Sequence, residues 1–272
     1  MNKVRNRVSL VIPAYNEERH LRACLEAVAA QTVMPLEVIV VDNNSTDKTA
    51  AIARSFPFVH LVSQPRQGRV FARDAGFSQA KGEIIGRIDA DIVLPSNWIE
   101  HISTFYENSA HQAWAWTGSG YFSNIRFPRL VSWGYSLLAF RLNWLLIGHY
   151  TLWGSNMAVP AMQWRKVAGS VHERNDIHED LDLAIHLRNA GCNIWYDTHI
   201  KTNAQLRRVQ TNRDELWDYL QWWPRTLRIH HKKTWVICWF FGALLLYGLS
   251  FIWVAAEHVA RLFGRPASGT HA

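Results

Sequence analysis

The first ninety residues alternate short apolar runs with amphipathic stretches, and that alternation leaves few folds open. Residues 8–12 form an apolar run stopped by Pro13, after which Leu21, Cys24, Leu25 and Val28 recur at helical spacing. Residues 36–41 read as a second strand ending at Asp42, with Ser45 and Thr46 as caps for a helix through Ala50 and Ala53. A third strand over residues 59–62, a helix over 68–80 and a fourth strand over 83–88, ending at Asp89, complete the pattern. Strand–helix alternation of this kind predicts an α/β fold, Rossmann-like, with a mostly parallel sheet and helices on both faces. Ligands of such sheets sit beyond the carboxyl ends of the strands. Polar residues follow those ends here: Tyr15-Asn16-Glu17, then Asp42-Asn43-Asn44, then Asp89-Ala90-Asp91.

Asp89-Ala90-Asp91 is the sharpest chemical feature. Residues i and i+2 of an extended segment point the same way, and two carboxylates held so repel unless a cation lies beside them. A hard divalent ion takes one or two carboxylates and fills its shell with water and substrate phosphates. An acid-x-acid triplet is otherwise a solvated turn, so its neighbours carry the argument. Asp42 ends the adjacent strand, where it can accept from a ribose or base, or close an Asx turn with Asn43 and Ser45. Arg66, Arg69 and Arg73 precede Asp89 in the chain, and guanidinium forks pair well with phosphate.

These segments together resemble the family-2 glycosyltransferases. Residues 8–18 resemble their opening strand and loop, 38–47 their second nucleotide-binding motif, and 68–91 the stretch that ends in their DXD motif. His178-Glu179-Asp180-Leu181-Asp182-Leu183, followed by Leu187 and Gly191, resembles the acidic motif that holds their catalytic base. The resemblance spans roughly residues 8 to 200. It implies a GT-A fold, a nucleoside-diphosphate-sugar donor, a divalent metal (Mg²⁺ or Mn²⁺) and inversion at the sugar carbon. Carried over, it places Ala14, Tyr15 and Glu17 in the nucleotide pocket, with Pro13 beside them, and Asp42 on the base or ribose; Arg73 is expected at the donor as a phosphate-pairing guanidinium. Asp91 becomes the main metal ligand, with Asp89 beside ribose or metal, and Asp180 the general base. Glu179 and Asp182 compete for that last role, because on a helix those two share a face and Asp180 points elsewhere. Gly154, Ser155 and Asn156 resemble the segment under the donor sugar, and they also read as a turn before a strand starting at Met157. Gln221-Trp222-Trp223-Pro224-Arg225 departs by one residue from the Gln-x-x-Arg-Trp motif of processive members, which argues against a processive synthase and leaves Arg225 within reach of the diphosphate.

The rest of the chain of 272 residues points to a membrane. Residues 235–256 carry no charge, a length of about 22 residues that matches the bilayer core. Arg225, Arg228, Lys232 and Lys233 precede the run and only Arg261 and Arg265 follow it, which by the positive-inside rule keeps the bulk on the cytoplasmic face. The expected organisation is a catalytic domain over 1–233, a spanning or interfacial helix over 234–257 and a short tail over 258–272. Residues 130–153, rich in Leu, Trp and Tyr, read either as a helix on the membrane surface or as core. The adjacent His230 and His231 read as interfacial rather than as a metal pair.

Other classes fit less well. The first strand–helix turn lacks the GxGxxG of a dinucleotide fold, and no GxxxxGK[ST] is present. A formal charge of +7 invites nucleic acid, yet the positives form no single patch and the acidic rim repels phosphate. Cys24, Cys192 and Cys238 are too far apart for a zinc knuckle, and after the basic residues 1–7 the apolar stretch of residues 8–12 is too short for a signal peptide. A nucleotidyltransferase, or a membrane-anchored nucleotide-sugar-binding module without activity, remains as the alternative. The expected partners are a nucleotide-sugar donor, a lipid-linked or glycan acceptor and the membrane, with no nucleic acid.

Overall fold

A computed structural model describes residues 7–123, 127–204 and 213–231. The expected apolar helix over 234–257, the tail after it and the boundary before it lie outside the described residues.

Seven strands form one sheet in the order β3-β2-β1-β4-β6-β5-β7. The strands are β1 (Val8–Ala14), β2 (Glu37–Asp42), β3 (Val59–Ser63), β4 (Ile84–Arg87), β5 (Ala115–Phe122), β6 (Met157–Pro160) and β7 (Ile194–Ala204). The first four pair in parallel. β6 runs antiparallel to both β4 and β5, and β7 runs parallel to β5. The sheet is mostly parallel, as the strand–helix alternation predicts, and β6 is reversed within it, which that alternation does not predict. That reversal has a consequence for the site: the start of β6, not its end, lies on the same rim as the ends of β1 and β4.

Period-two alternation in the strands feeds two cores. Leu10, Ile12, Val38 and Val40 face α1 (Leu21–Ala29), α2 (Thr49–Arg54) and α4 (Trp98–Glu107). Val11, Ile39, Val41 and Val159 face α3 (Arg69–Gln79), α7 (Ala161–Val167) and α8 (Glu179–Asn189) on the other side. Helix α9 (Arg213–Ile229) docks on α8 through Leu181, Ile185, Trp223 and Leu227. Gly76 makes the α3 side possible, since a Cβ there would lie 2.3 Å from Val11 Cγ1.

The expected caps of α2 lie elsewhere. Asp47 accepts from the amide of Thr49, and Ser45 and Thr46 instead bind Asn16 of the preceding loop. The aromatic middle forms a 20-residue helical rod, Pro128–Ile147, made of α5 (Pro128–Ser136), a π-helical turn (Leu137–Leu142) and α6 (Asn143–Ile147). It is long and apolar enough to cross a membrane, although most of it is not buried, with Leu130 65% and Trp133 64% exposed.

Trp98 pins α4 to the sheet. Its ring is fully buried, meets Trp116 edge-on at 6.1 Å and donates through Nε1 to Asn156 Oδ1 at 2.7 Å. Trp98→Ala is expected to lower stability by about 3–5 kcal/mol. Urea denaturation followed by circular dichroism measures it, and an unchanged midpoint contradicts this packing.

Candidate active site

The rim of the sheet opens into a cavity of about 400 Å³. Its walls come from the ends of β1, β4, β5 and β7, the segment before β6, α3, α5, the first turn of α8, and α9. Pro13, Ala14, Tyr15 and Glu17 line one side, and Asp89, Ala90, Asp91 and Ser155 another. Glu179 and Asp180 lie across from them, with Arg69 and Arg87 between. Five carboxylates therefore face this space against two guanidinium groups. An anionic ligand entering it meets repulsion unless a cation accompanies it.

Loop geometry sets the first wall. Asn16 and Asn44 both adopt left-handed φ (53° and 67°), a region that asparagine tolerates better than most residues. This lets the loops after β1 and β2 brace each other: Asn16 Oδ1 accepts from Thr46 N at 2.8 Å, and Glu18 N donates to Asp47 Oδ2 at 3.0 Å. Asn43 ties the next loop in, donating to the carbonyls of Gln64 and Arg66 and accepting from Gly68 N at 2.8 Å. Gly68 has φ +146°, and a Cβ there would collide with Asn175.

Arg87 organises the second wall. Its guanidinium is buried and donates to Asp180 Oδ1 at 2.6 Å, to Asp89 Oδ1 at 3.2 Å and to Glu179 Oε1 at 3.5 Å. Burial works against its charge, but the three carboxylates outweigh that and hold Arg87 above its ordinary range. Gly154 leaves the room: a Cβ there would stand 2.5 Å from the guanidinium carbon. The same glycine's N–H donates to Asp180 Oδ2 at 2.8 Å. Asp180 is thus held at both oxygens, yet each carboxylate oxygen has a second lone pair. Burial pushes the Asp180 carboxyl up, to about 6; Arg87 and the Gly154 amide pull it back, while Glu179 and Asp89 push it further. Glu179 is pulled the other way. Burial raises it, but Arg69 and Arg87 dominate and hold it well below the usual carboxylate range.

Asp89 and Asp91 reach the cavity by a route other than the expected one. Asp89–Ile92 is a turn, closed by Ile92 N to Asp89 O at 3.1 Å, and the strand stops at Arg87. Asp89 also accepts from Ser155 Oγ. As hard oxygen donors on a half-buried turn at a polar cavity, Asp89 and Asp91 suit Mg²⁺ or Mn²⁺.

Five residues expected at the site do not line the cavity. Asp42 accepts from Ser45 N at 3.2 Å, the Asx-type contact, and Asn43 occupies the wall instead. Arg73 is fully buried, donating to Asp74 and to the Glu179 carbonyl, which anchors the start of α8 from below. Asn156 is buried too, its amide donating to the Ser119 and Ile200 carbonyls. Gly154 acts through its backbone. Arg225 pairs with Asp218 at 2.8 Å on the outer part of α9. Helical periodicity groups Glu179 with Asp182, and the structure separates them. Glu179 and Asp180 both face the cavity, because they begin α8 after the extended His178, whereas Asp182 turns toward histidines. Arg87 is a site residue that none of the sequence motifs marks. Its signal is a charge inside an otherwise apolar strand, two residues before Asp89. Tyr135, Trp153, His178 and Tyr219 also line the cavity, contributed by segments distant in sequence.

Residues 9–166 match the profile of Glycosyl transferase family 2. The chain belongs to this family. Relatives include glycosyltransferase AglE of Haloferax volcanii, 39% identical over 100 residues, covering 34% of this chain and 33% of that protein. Chondroitin synthase of Pasteurella multocida is 36% identical over 97 residues, 34% of this chain and 10% of its own. The matched segment thus spans about a third or less of these relatives' length. Among solved structures, a mannosyltransferase of Pyrobaculum calidifontis in complex with GDP-Man and Mn²⁺ superposes with TM-score 0.62 at 19% identity, covering 96% of this chain and 81% of that one. S. aureus TarS 1–349 in complex with UDP-GlcNAc gives 0.58 at 15% identity, covering 81% and 66%. Those two likenesses concern the fold. The family-2 segment contains the acid-rich cavity on the strand ends, which is the candidate active site.

Removing Arg87 leaves buried carboxylates unmatched. Arg87→Met is expected to cost about 3–5 kcal/mol near neutral pH. The loss should shrink in acid, where the orphaned carboxyls protonate. Denaturant titrations at about pH 5 and about pH 8 compare the two, and equal losses at both contradict the assigned pairing.

Proposed function

We propose that this enzyme is an inverting, metal-dependent transferase of GT-A type. It moves a hexosyl unit from a nucleoside-diphosphate sugar to a hydroxyl of a lipid-linked or glycan acceptor at the cytoplasmic face of a membrane. The observation that carries the reading is Asp180, a buried carboxylate fixed by Arg87 and Gly154 and facing Asp89 and Asp91 across one cavity.

Each residue has a task in this reading. Pro13, Ala14, Tyr15 and Glu17 hold the nucleotide, and Arg69 neutralises part of the diphosphate. Asp91, with Asp89, would hold a divalent ion, which when bound offsets the charge of the departing diphosphate. Ser155 keeps Asp89 in place. The acceptor oxygen attacks the anomeric carbon as the bond from that carbon to the phosphate oxygen breaks. Asp180 takes the acceptor's proton, so the oxygen does not carry a positive charge in the product. A carboxylate lifted toward neutrality is a stronger base than a solvated one, which gives the burial of Asp180 a use. Glu179, held anionic between Arg69 and Arg87, is a poorer proton acceptor and serves to shape the field around Asp180.

The acceptor class rests on the exposed rod Pro128–Ile147. Its Tyr135 lines the cavity, while Leu130, Trp133 and Leu137 on the same rod face outward. An apolar face next to the site favours an acceptor presented at a lipid surface. The basic residues before the apolar run of residues 235–256 favour the cytoplasmic side.

The test is nucleoside-diphosphate release from UDP-, GDP- and TDP-sugars with a lipid extract, with Mn²⁺ or with EDTA. One donor should turn over with metal only. Asp180→Asn should lose about 10²–10⁴-fold in turnover while still binding donor. Full turnover by Asp180→Asn removes Asp180 as base. For the wild type, log kcat/KM should rise with pH through about 6 and then level, because the base acts only when ionised. A flat profile across that range contradicts the assignment.

A further inference from the structure

None of His172, Asp182, His186 and His230 lines the cavity, yet among the described residues they form a close cluster of possible metal ligands outside it. Three separate segments bring them together. His172 lies in the loop between α7 and α8, Asp182 and His186 stand one turn apart on α8, and His230 follows the end of α9. One donor atom from each residue lies within 4.8 Å of all the others. Asp182 Oδ1 is 2.7 Å from His172 Nδ1, 2.7 Å from His230 Nε2 and 3.6 Å from His186 Nε2. His186 Nε2 is 3.3 Å from His172 Nδ1.

Hydrogen bonding accounts for only part of this arrangement. Asp182 Oδ1 can accept N–H bonds from His172 and His230. The third ring nitrogen, on His186, then points toward the same oxygen at a distance too long for a good bond and toward another ring nitrogen. Three imidazoles converging on one point suit a bound cation, which replaces their protons and uses all three lone pairs. The spacing agrees. Ligands of tetrahedral zinc at about 2.0–2.1 Å stand roughly 3.3 Å from one another, and the observed donor separations bracket that edge. Asp182 Oδ2 accepts from the His172 backbone N–H at 2.9 Å, the kind of outer contact that orients a ligating carboxylate. The Asp182 side chain is buried, His230 nearly so, and His172 more than a third exposed, which leaves a way in for an ion.

We propose that His172, Asp182, His186 and His230 form a structural site for a transition-metal dication, Zn²⁺ by its ligand set. Three imidazole nitrogens and one carboxylate oxygen select zinc over the hard cations suited to Asp89 and Asp91. The ion would join the α7–α8 loop, α8 and the end of α9. Those elements frame the cavity: α8 opens with Glu179 and Asp180, and α9 supplies Tyr219 as well as Trp222, whose ring lies 4.0 Å from the Arg69 guanidinium. Metal at this site fixes the helical wall of the active site without touching substrate. This inference stands apart from the choice of donor and acceptor.

The experiment uses the full chain without a polyhistidine tag, stripped of metal and titrated with Co²⁺ in the absence of nucleotide. One Co²⁺ per chain should give the intense visible bands of tetrahedral coordination, which Zn²⁺ displaces and excess Mg²⁺ does not. An ion at the oxygen-rich cavity gives only the weak spectrum of octahedral cobalt, and Asp91→Asn should leave the tetrahedral bands intact. His172→Ala and His186→Ala should each weaken Co²⁺ by about 100-fold or more, since a ligand matters at least as much as its outer-shell partner. Zn²⁺ should raise the melting temperature of the wild type and not of these variants, with circular dichroism checking that they fold. Absence of tetrahedral bands in the wild type overturns the site, as do bands that persist unchanged in both variants.

Discussion

The buried guanidinium of Arg87 is the interaction on which the site depends. It lies at the end of β4, touches Asp180, Asp89 and Glu179, and cannot carry its charge in that position without them. The three carboxylates in turn cannot crowd together without it. One positive charge set against three negative ones leaves a surplus, and Glu17 and Asp91 enlarge it around the same cavity. Such a site is poor at holding a diphosphate by itself. A divalent ion offsets two of those negative charges and gives the diphosphate a cation to coordinate, which is the physical core of the proposed metal dependence.

The fold holds this charge arrangement by bracing each loop against the next. Asn16 and Ser45–Thr46 join the first two loops, Asn43 joins the second to the third, and Arg73 holds the start of α8 from beneath. Behind them stand two apolar layers, one on each face of the sheet. Helix α9 closes the side, with His178 N donating to Thr226 Oγ1 at 2.9 Å. Several residues that resemble donor contacts in sequence thus act one layer back. Asn156 and Gly154 support the site through Trp98, Arg87 and Asp180 rather than by facing the cavity.

Much of this was legible in the sequence because period and punctuation agree there. The strands at residues 8–12 and 36–41 and the helix from Leu21 lie within two residues of their observed bounds, since buried alternation and Pro13 or Asp42 mark them. Pro13 to Tyr15, Glu17, Asp89, Asp91, Ser155, Glu179 and Asp180 do share one cavity. What escaped was three-dimensional. The turn at Asp89–Ile92 replaces an extended segment, and the reversed β6 is invisible to local pattern. Arg87 sits in a strand that reads as apolar, so its charge looked incidental. Asp42 reads in sequence either as a ligand contact or as an Asx turn, and its Oδ1 accepts from Ser45 N in its own loop. The histidine cluster spans residues 172 to 230, and only packing of α9 on α8 brings its members together.

Direct titration calorimetry of UDP and GDP binding to the wild-type chain tests the central claim with no acceptor required. If the surplus of carboxylate charge governs the site, one nucleoside diphosphate binds in Mn²⁺ and its heat disappears in EDTA. Equally tight binding with and without the metal would mean that Arg69 and Arg87 alone balance the diphosphate, and the electrostatic account of this site would be wrong.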